Sequence, residues 1–144
     1  MTAIGRQLKD QTRELQPYEL QNALWAFARL QLKDVMLFQA VCRCAAGSVS
    51  EFAPRNLAGL AWALAALKIS DLPLQQNMSM AARQKMERFE ARSLASFAWG
   101  FAETQMVDIP VFKAIGSKVP AFKNEFNSQD LSNIGWAFAA VKIR

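Results

Sequence analysis

Four tryptophans recur at a constant interval and constrain the fold of this chain more than any other feature. They stand 37 residues apart, at Trp25, Trp62, Trp99 and Trp136. A fixed period of about 20–50 residues is typical of stacked repeats, in which each unit buries its apolar face against its neighbours. Such arrays bind their ligands along an extended surface, so the pattern predicts a binding protein rather than one built around a catalytic pocket.

Further positions repeat in register with the tryptophans. Leucine stands five residues before each of them, and aspartate stands nine residues after each of the first three. The chain is therefore expected to form a single array, with a partial repeat 1–14, repeats 15–51, 52–88 and 89–125, and a partial repeat 126–144. The predicted structural core of the repeats consists of Leu20, Trp25, Leu57, Trp62, Leu94, Trp99, Leu131 and Trp136.

Each repeat contains two predicted helices, which we call A and B. The A helices carry the tryptophans, are rich in Ala, Leu and Phe, and lack internal proline. Three of the B helices follow an aspartate, whose side-chain oxygen suits an N-cap position. The predicted fold class is all-α, an α-solenoid of 37-residue helix-turn-helix repeats with about eight helices. The A helices are expected at Pro17–Gln31, Pro54–Lys68, Glu90–Gln105 and Ser128–Lys142, and the B helices at Thr2–Glu14, Val35–Ala46, Leu72–Arg88 and Ile109–Lys118.

The tryptophans project from the A helix on the side opposite its main apolar face. At about 100° per residue, the centre of that face lies about 160° from the tryptophan. A helix with two apolar faces is typical of one sandwiched between layers, so we expect the tryptophans to be buried between repeats. Small flanking residues such as Gly100 are expected to let neighbouring helices approach closely. The alternative is a ladder of rings on which nucleic-acid bases stack.

The composition argues against several classes of function. Histidine is absent, and the only two cysteines, Cys42 and Cys44, stand two residues apart, where a helix points them in different directions. We therefore expect no disulfide between them, no zinc site and no histidine-based catalysis. No nucleophile recurs beside a positioned base, so we expect no enzyme activity and no cofactor. No apolar run could span a bilayer, and no targeting signal is visible in the sequence.

The blocks around the tryptophans resemble a known repeat family. LQNALWAFARL at residues 20–30, LAGLAWALAAL at 57–67, LASFAWGFAET at 94–104 and LSNIGWAFAAV at 131–141 are similar to the signature of the heptatricopeptide and octotricopeptide repeats. The signature asparagine is present at Asn22 and Asn133, whereas glycine and serine replace it in the middle repeats. The RAP domain that often follows such repeats is not seen. The resemblance implies an RNA-binding protein of organellar RNA processing, stability or translation, in a mitochondrion or plastid.

Polar residues that vary between repeats are the candidate contacts to single-stranded RNA. They stand seven, six and three residues before each tryptophan and are types that can pair with base edges. The net charge of +5 also suits an anionic partner. Ordinary capping of helix N-termini is the alternative role, above all for Ser93 and Asp130. The candidate RNA-binding residues are Tyr18, Glu19, Asn22, Arg55, Asn56, Arg92, Ser93, Ser96, Gln129, Asp130 and Asn133.

A protein partner is the competing expectation. Helical solenoids also act as protein–protein interaction scaffolds without nucleic-acid binding. Among the candidate contacts, Glu19 and Asp130 offset the charges of Arg55 and Arg92. Apolar faces exposed at the ends of the array would in addition favour self-association.

Overall fold

The computed structural model describes residues 16–31, 34–106 and 108–142, and within these ranges the chain is helical without strands. The all-α prediction is confirmed, with the A and B helices alternating along the chain. No helix in the described part is long and apolar enough to cross a bilayer. The B helix expected at Thr2–Glu14 lies outside the described residues. The described α-helices are α1 (Pro17–Leu30), α2 (Val35–Ser48), α3 (Pro54–Leu67), α4 (Leu72–Gln84), α5 (Ala91–Glu103), α6 (Ile109–Lys118) and α7 (Ser128–Val141), and 3-10 segments occupy Val49–Glu51, Met86–Arg88 and Val119–Phe122.

The B helices begin where the repeated aspartates predicted. The Oδ1 atoms of Asp34, Asp71 and Asp108 each accept a hydrogen bond at 3.0 Å from the backbone N–H three residues further on. Each bond satisfies one of the N–H groups that the first turn of a helix leaves without a partner. One residue type at one register position therefore sets the start of α2, α4 and α6.

The A helices end without the glycine that usually marks the C-terminus of a helix in a sequence. The residue six positions after each tryptophan has a left-handed backbone, with φ of 56°, 57°, 61° and 57° along the chain. Glycine is the usual residue in this conformation because it has no Cβ to clash with the neighbouring carbonyl oxygen. The chain uses other residues there, namely Gln31, Lys68, Gln105 and Lys142.

The helices form two layers, with the A helices packed on one another and the B helices behind them. The A layer has the more extensive helix–helix contacts, from α1 to α3, α3 to α5 and α5 to α7. Leu20, Leu57 and Leu94, five residues before successive tryptophans, are completely buried. Gly100 of α5 lies directly against the backbone of Ala61 in α3, which confirms the predicted close approach at thin flanks.

The predicted burial of the tryptophan column is correct only in part. Trp25 and Trp136 are 40% and 46% exposed, whereas Trp62 and Trp99 are partly buried and Trp62 packs against the hydrophobic core. The reason is that consecutive A helices meet through their flanks, about 100° from the tryptophan on either side. The surface that carries the tryptophans therefore faces outward, away from the B layer.

Leu131 is a second exception among the predicted core residues. It is 53% exposed, although its three counterparts in the other A helices are completely buried. Each of the other three A helices is followed along the array by another A helix that packs against it, whereas no described helix follows α7. The burial of this leucine column therefore depends on the neighbouring repeat rather than on the helix itself.

Cys42 is buried in α2, and Cys44, two residues further along the same helix, is partly buried. Burial, and secondarily the negative charge of Asp71, raise the pKa of the Cys42 thiol from 9.0 to about 12. The folded state therefore disfavours the thiolate, which is the form that reacts with alkylating agents. The stability that this provides is fully present below pH 9 and is lost as the pH rises towards 12.

We expect the Cys42 thiol to resist alkylation in the native protein. Iodoacetamide at about pH 8 should label it at least tenfold more slowly than in the denatured chain, because both burial and the raised pKa suppress the reactive thiolate. Mass spectrometry of tryptic peptides would measure this, since cleavage after Arg43 separates the two cysteines. Equal labelling rates in the native and denatured protein would show that the thiol is accessible after all.

Candidate functional site

A groove runs across the outer surface of the A layer, over α1, α3 and α5. Its volume is about 620 Å³, within the range of about 300–1,000 Å³ that is usual for ligand sites. No carboxylate and no thiol lines it. Its lining residues are Gln21, Trp25, Arg55, Ala58, Gly59, Trp62, Arg92, Ser93 and Ser96.

Helix geometry brings most of these residues onto one face. Positions seven, four and three residues before a tryptophan lie about 20°, 40° and 60° from it around the helix. In α3 these positions are Arg55, Ala58 and Gly59, which together with Trp62 form a continuous strip along the groove. The arginines and the tryptophans are therefore neighbours on one surface, although an arginine occupies this register position only in α3 and α5, where it is Arg55 and Arg92.

Two of the tryptophans form a pair across neighbouring repeats. The ring centroids of Trp25 and Trp62 are 6.3 Å apart, and their planes are tilted by 39°. The guanidinium of Arg29 lies 4.8 Å from the centroid of Trp25, in a cation–π contact. The aromatic pair is thus bordered by a positive charge on α1 and by Arg55 on α3.

The charge of the groove is positive and is not neutralised within the described chain. Among the described residues the only salt bridge joins Lys118 and Glu87, so Arg55 and Arg92 have no carboxylate partner there. Both guanidinium groups are exposed at the groove. Such a surface attracts anionic ligands, and it does so most strongly at low ionic strength.

A smaller hollow of about 320 Å³ adjoins the groove, and Arg55 and Ser93 line both. Arg88 adds a further positive charge to it, which Glu90 offsets. Lys85, close by in sequence, has a structural role instead: its Nζ donates hydrogen bonds at 2.6 Å to the backbone carbonyl oxygens of Ser50 and Phe52, which precede α3. Burial, and then the charge of Arg88, lower the pKa of Lys85.

Four of the eleven predicted contact residues line this groove. Arg55 and Arg92 stand at equivalent positions of α3 and α5, one repeat apart, and Ser93 and Ser96 share the wall on α5. Ser93 was also a candidate N-cap, but the residue at the N-cap of α5 is Glu90, and its side chain makes no capping hydrogen bond. The groove therefore brings four of the predicted residues together.

Three of the predicted contact residues have a capping role instead. Side-chain oxygens of Glu19, Asn56 and Asp130 accept hydrogen bonds from the backbone N–H three positions earlier, at 3.1, 3.3 and 3.2 Å. This is half of a capping box, which satisfies a backbone donor at the start of the helix. For Asp130, which is buried, the capping alternative raised from the sequence is the correct one.

The remaining four predicted residues lie outside the groove lining. Tyr18 is exposed and its hydroxyl donates to Glu19 at 3.3 Å, and Asn22 is exposed on α1. On α7 the side chain of Gln129 donates to Asn133 at 3.0 Å, so these two pair with each other. The structure thus concentrates the candidate site on α1, α3 and α5.

Among the groove residues, Gln21 was missed from the sequence, and the tryptophans were expected as ligand contacts only in the alternative of a ring ladder. Gln21 accepts a hydrogen bond at 3.2 Å from the Nδ2 of Asn56, and its amide occupies the space that a Cβ at Gly59 would need. The absence of a side chain at Gly59 therefore makes room for Gln21. The signal was present, because Gln21 and Trp25 are four residues apart and so share a helix face.

Comparison with known proteins is consistent with this architecture. The model of the family described as RESC6, RNA-editing substrate-binding complex 6 protein, matches residues 1–144, the whole chain. No curated protein is significantly similar to it. The match confirms the prediction of an RNA-related helical protein, but it names a different family from the heptatricopeptide and octotricopeptide repeats. The chain belongs to the RNA-editing substrate-binding complex 6 protein family.

Proposed function

We propose that the chain is a helical-repeat module that binds single-stranded RNA through the groove of the A layer, within a complex that binds RNA-editing substrates. The observation that carries the proposal is the pair of exposed arginines, Arg55 and Arg92, which have no carboxylate partner among the described residues and repeat along a groove lined by aromatic rings. The name of the family, which refers to RNA-editing substrates, supports the same ligand class.

The chemistry of the groove suits a ligand with a charged backbone and flat bases. Arginine contacts phosphate through a planar fork of donors, and release of counterions from the RNA favours binding. Aromatic rings accept bases of any sequence, while the amide of Gln21 and the hydroxyls of Ser93 and Ser96 offer donors and acceptors. We propose that this role is binding rather than catalysis.

The site of action is a further part of the proposal. The resemblance to organellar repeat proteins supports a mitochondrion or a plastid, where the module would take part in RNA processing, stability or translation. Imaging of the tagged full-length protein with organelle markers tests this. A purely nuclear or cytosolic distribution would contradict it.

We expect the double variant Arg55→Ala/Arg92→Ala to bind RNA more weakly than the parent chain. Loss of two phosphate contacts should flatten the dependence of log K on log salt by about 0.7 for each contact. Fluorescence anisotropy with short labelled RNA oligomers, over a series of salt concentrations, measures both quantities. The matched control is Arg43→Ala/Arg83→Ala, which removes the same charge from exposed arginines of the B helices α2 and α4.

The control distinguishes the effect of the groove on RNA binding from the effect of overall net charge. If both double variants weaken binding equally, net charge rather than the groove governs affinity, and this site is wrong. If the folded protein binds no RNA even at low salt, the interaction-scaffold alternative replaces the proposal. The exposed apolar side chains of Leu131 and Trp136 on α7 favour a protein contact at that helix, and such a contact is compatible with RNA binding in the groove.

A further inference from the structure

We propose that Trp25 and Trp62 form a stacking seat for one unpaired base of the bound RNA. This inference rests on the proposed function and specifies how the groove holds its ligand. It reverses the expectation that the tryptophans serve only to pack the repeats together, and it assigns them a direct contact with the ligand. The bases would be held by ring stacking, and the neighbouring arginines would hold the phosphates on either side.

The exposure of the pair is the first argument. Trp25 is the largest type of side chain, yet 40% of its surface is accessible, although it lies in the interior of α1 next to a packed helix. The two indoles are tilted by 39° rather than closely stacked, with centroids 6.3 Å apart. This separation is an ordinary contact between two rings. Both indoles also line the groove, so ring surface remains there that a flat base can cover.

The residues around the pair provide the second argument. Ala58 adds no bulky side chain to the floor, the amide of Gln21 covers Gly59, and Ser96 lines the opposite wall. The resulting space is open to the surface rather than filled, as it would be if the rings served only for packing. Arg55 and Arg92 give its rim a positive charge. The space therefore offers ring surface to a base and positive charge to a phosphate.

Arg29 shows that Trp25 already accepts a flat cationic group. Its guanidinium stacks over the indole at 4.8 Å. An exposed cation–π contact of this kind is weaker than base–aromatic stacking, so a base can displace it. The displaced guanidinium, four residues further along the same face of α1, then lies within reach of the RNA backbone.

The test compares Trp25→Leu with Trp136→Leu, which removes an equally exposed tryptophan of α7 outside the groove. Binding is measured to a single-stranded RNA oligomer and to an abasic oligomer of the same length, which keeps the phosphates and lacks the bases. We expect Trp25→Leu to weaken binding of the oligomer with bases by about 5- to 100-fold. Binding of the abasic oligomer and the salt slope should not change, and Trp25→Phe should restore most of the affinity.

The outcomes distinguish this inference from the proposed function. If the arginine double variant weakens binding while Trp25→Leu does not, the RNA-binding surface stands and the stacking seat is overturned. If Trp25→Leu weakens binding of both oligomers equally, the indole acts by supporting the groove rather than by stacking. Thermal unfolding of each variant confirms that the protein compared is folded.

Discussion

Phe97→Ala is expected to destabilise the protein by about 3–5 kcal/mol, the largest effect of any change considered for this chain. Phe97 is completely buried, and its helix α5 packs against both α3 and α7. Its ring stacks on Phe101 with centroids 4.3 Å apart and forms a T-shaped pair with Phe89 with centroids 5.7 Å apart. Truncation therefore removes apolar burial and two ring contacts and leaves a cavity in the middle of the array. Urea unfolding followed by circular dichroism measures the loss.

Trp25→Ala is the informative comparison for this prediction. The indole is larger than the phenyl ring, but it is partly solvated and its removal opens onto the surface, so no closed cavity forms. We expect a loss of about 1–2 kcal/mol. Equal losses for the two variants would mean that Trp25 is buried as deeply as Phe97, and would restore the packing role that the sequence first predicted.

Gly100→Ala is expected to destabilise the protein by about 2 kcal/mol, although alanine is the better helix former. A Cβ at Gly100 would lie 2.7 Å from the backbone carbonyl carbon and oxygen of Ala61 and 2.9 Å from its Cβ. Backbone atoms cannot rotate out of the way, so α3 and α5 would have to move apart. That movement would loosen the contact between two central repeats, and it would cost more than the gain of about 1 kcal/mol in helix propensity.

The matched control for this substitution is Gly135→Ala. Gly135 also lies inside an A helix, α7, but nothing lies within 4 Å of the Cβ that alanine would add. There the propensity gain is unopposed, so we expect a stabilisation of about 0.5–1 kcal/mol. The free energies of unfolding of the two variants should therefore change in opposite directions. A gain in both would show that the A helices do not approach each other as closely as Gly100 and Ala61 indicate.

Much of the repeat could be predicted from residues alone because local physics determines it. The 37-residue period predicted the alternation of helices, and each aspartate at its fixed position predicted the start of a B helix through a hydrogen bond within one turn. Gly100 predicted a close helix contact because a missing side chain has few other uses inside a helix. Part of the site was also predictable. Arg55 and Arg92 stand at an exposed register position at which the first and last A helices have uncharged residues.

Other features depended on a choice between roles that the sequence left open. Asn56 and Asp130 have the residue types of base readers, yet the backbone at the start of their helices uses their oxygens. The left-handed residues that end the A helices, such as Lys68, are not glycines, so nothing in the sequence marks them. In both cases the local residue type is compatible with two roles, and the surrounding backbone selects one.

The sequence by itself determined the repeat, its helices and the fact that each A helix has a tryptophan opposite its main apolar face. Only the tertiary structure decided what that second face meets. A helical phase angle shows which residues are neighbours, but not which of two apolar faces a further layer covers. Because the A helices pack through thin flanks such as Gly100 against Ala61, no layer covers the surface of Trp25 and Trp62 within the described chain. The rings consequently lie beside Arg55 and Arg92, on a surface open to a ligand.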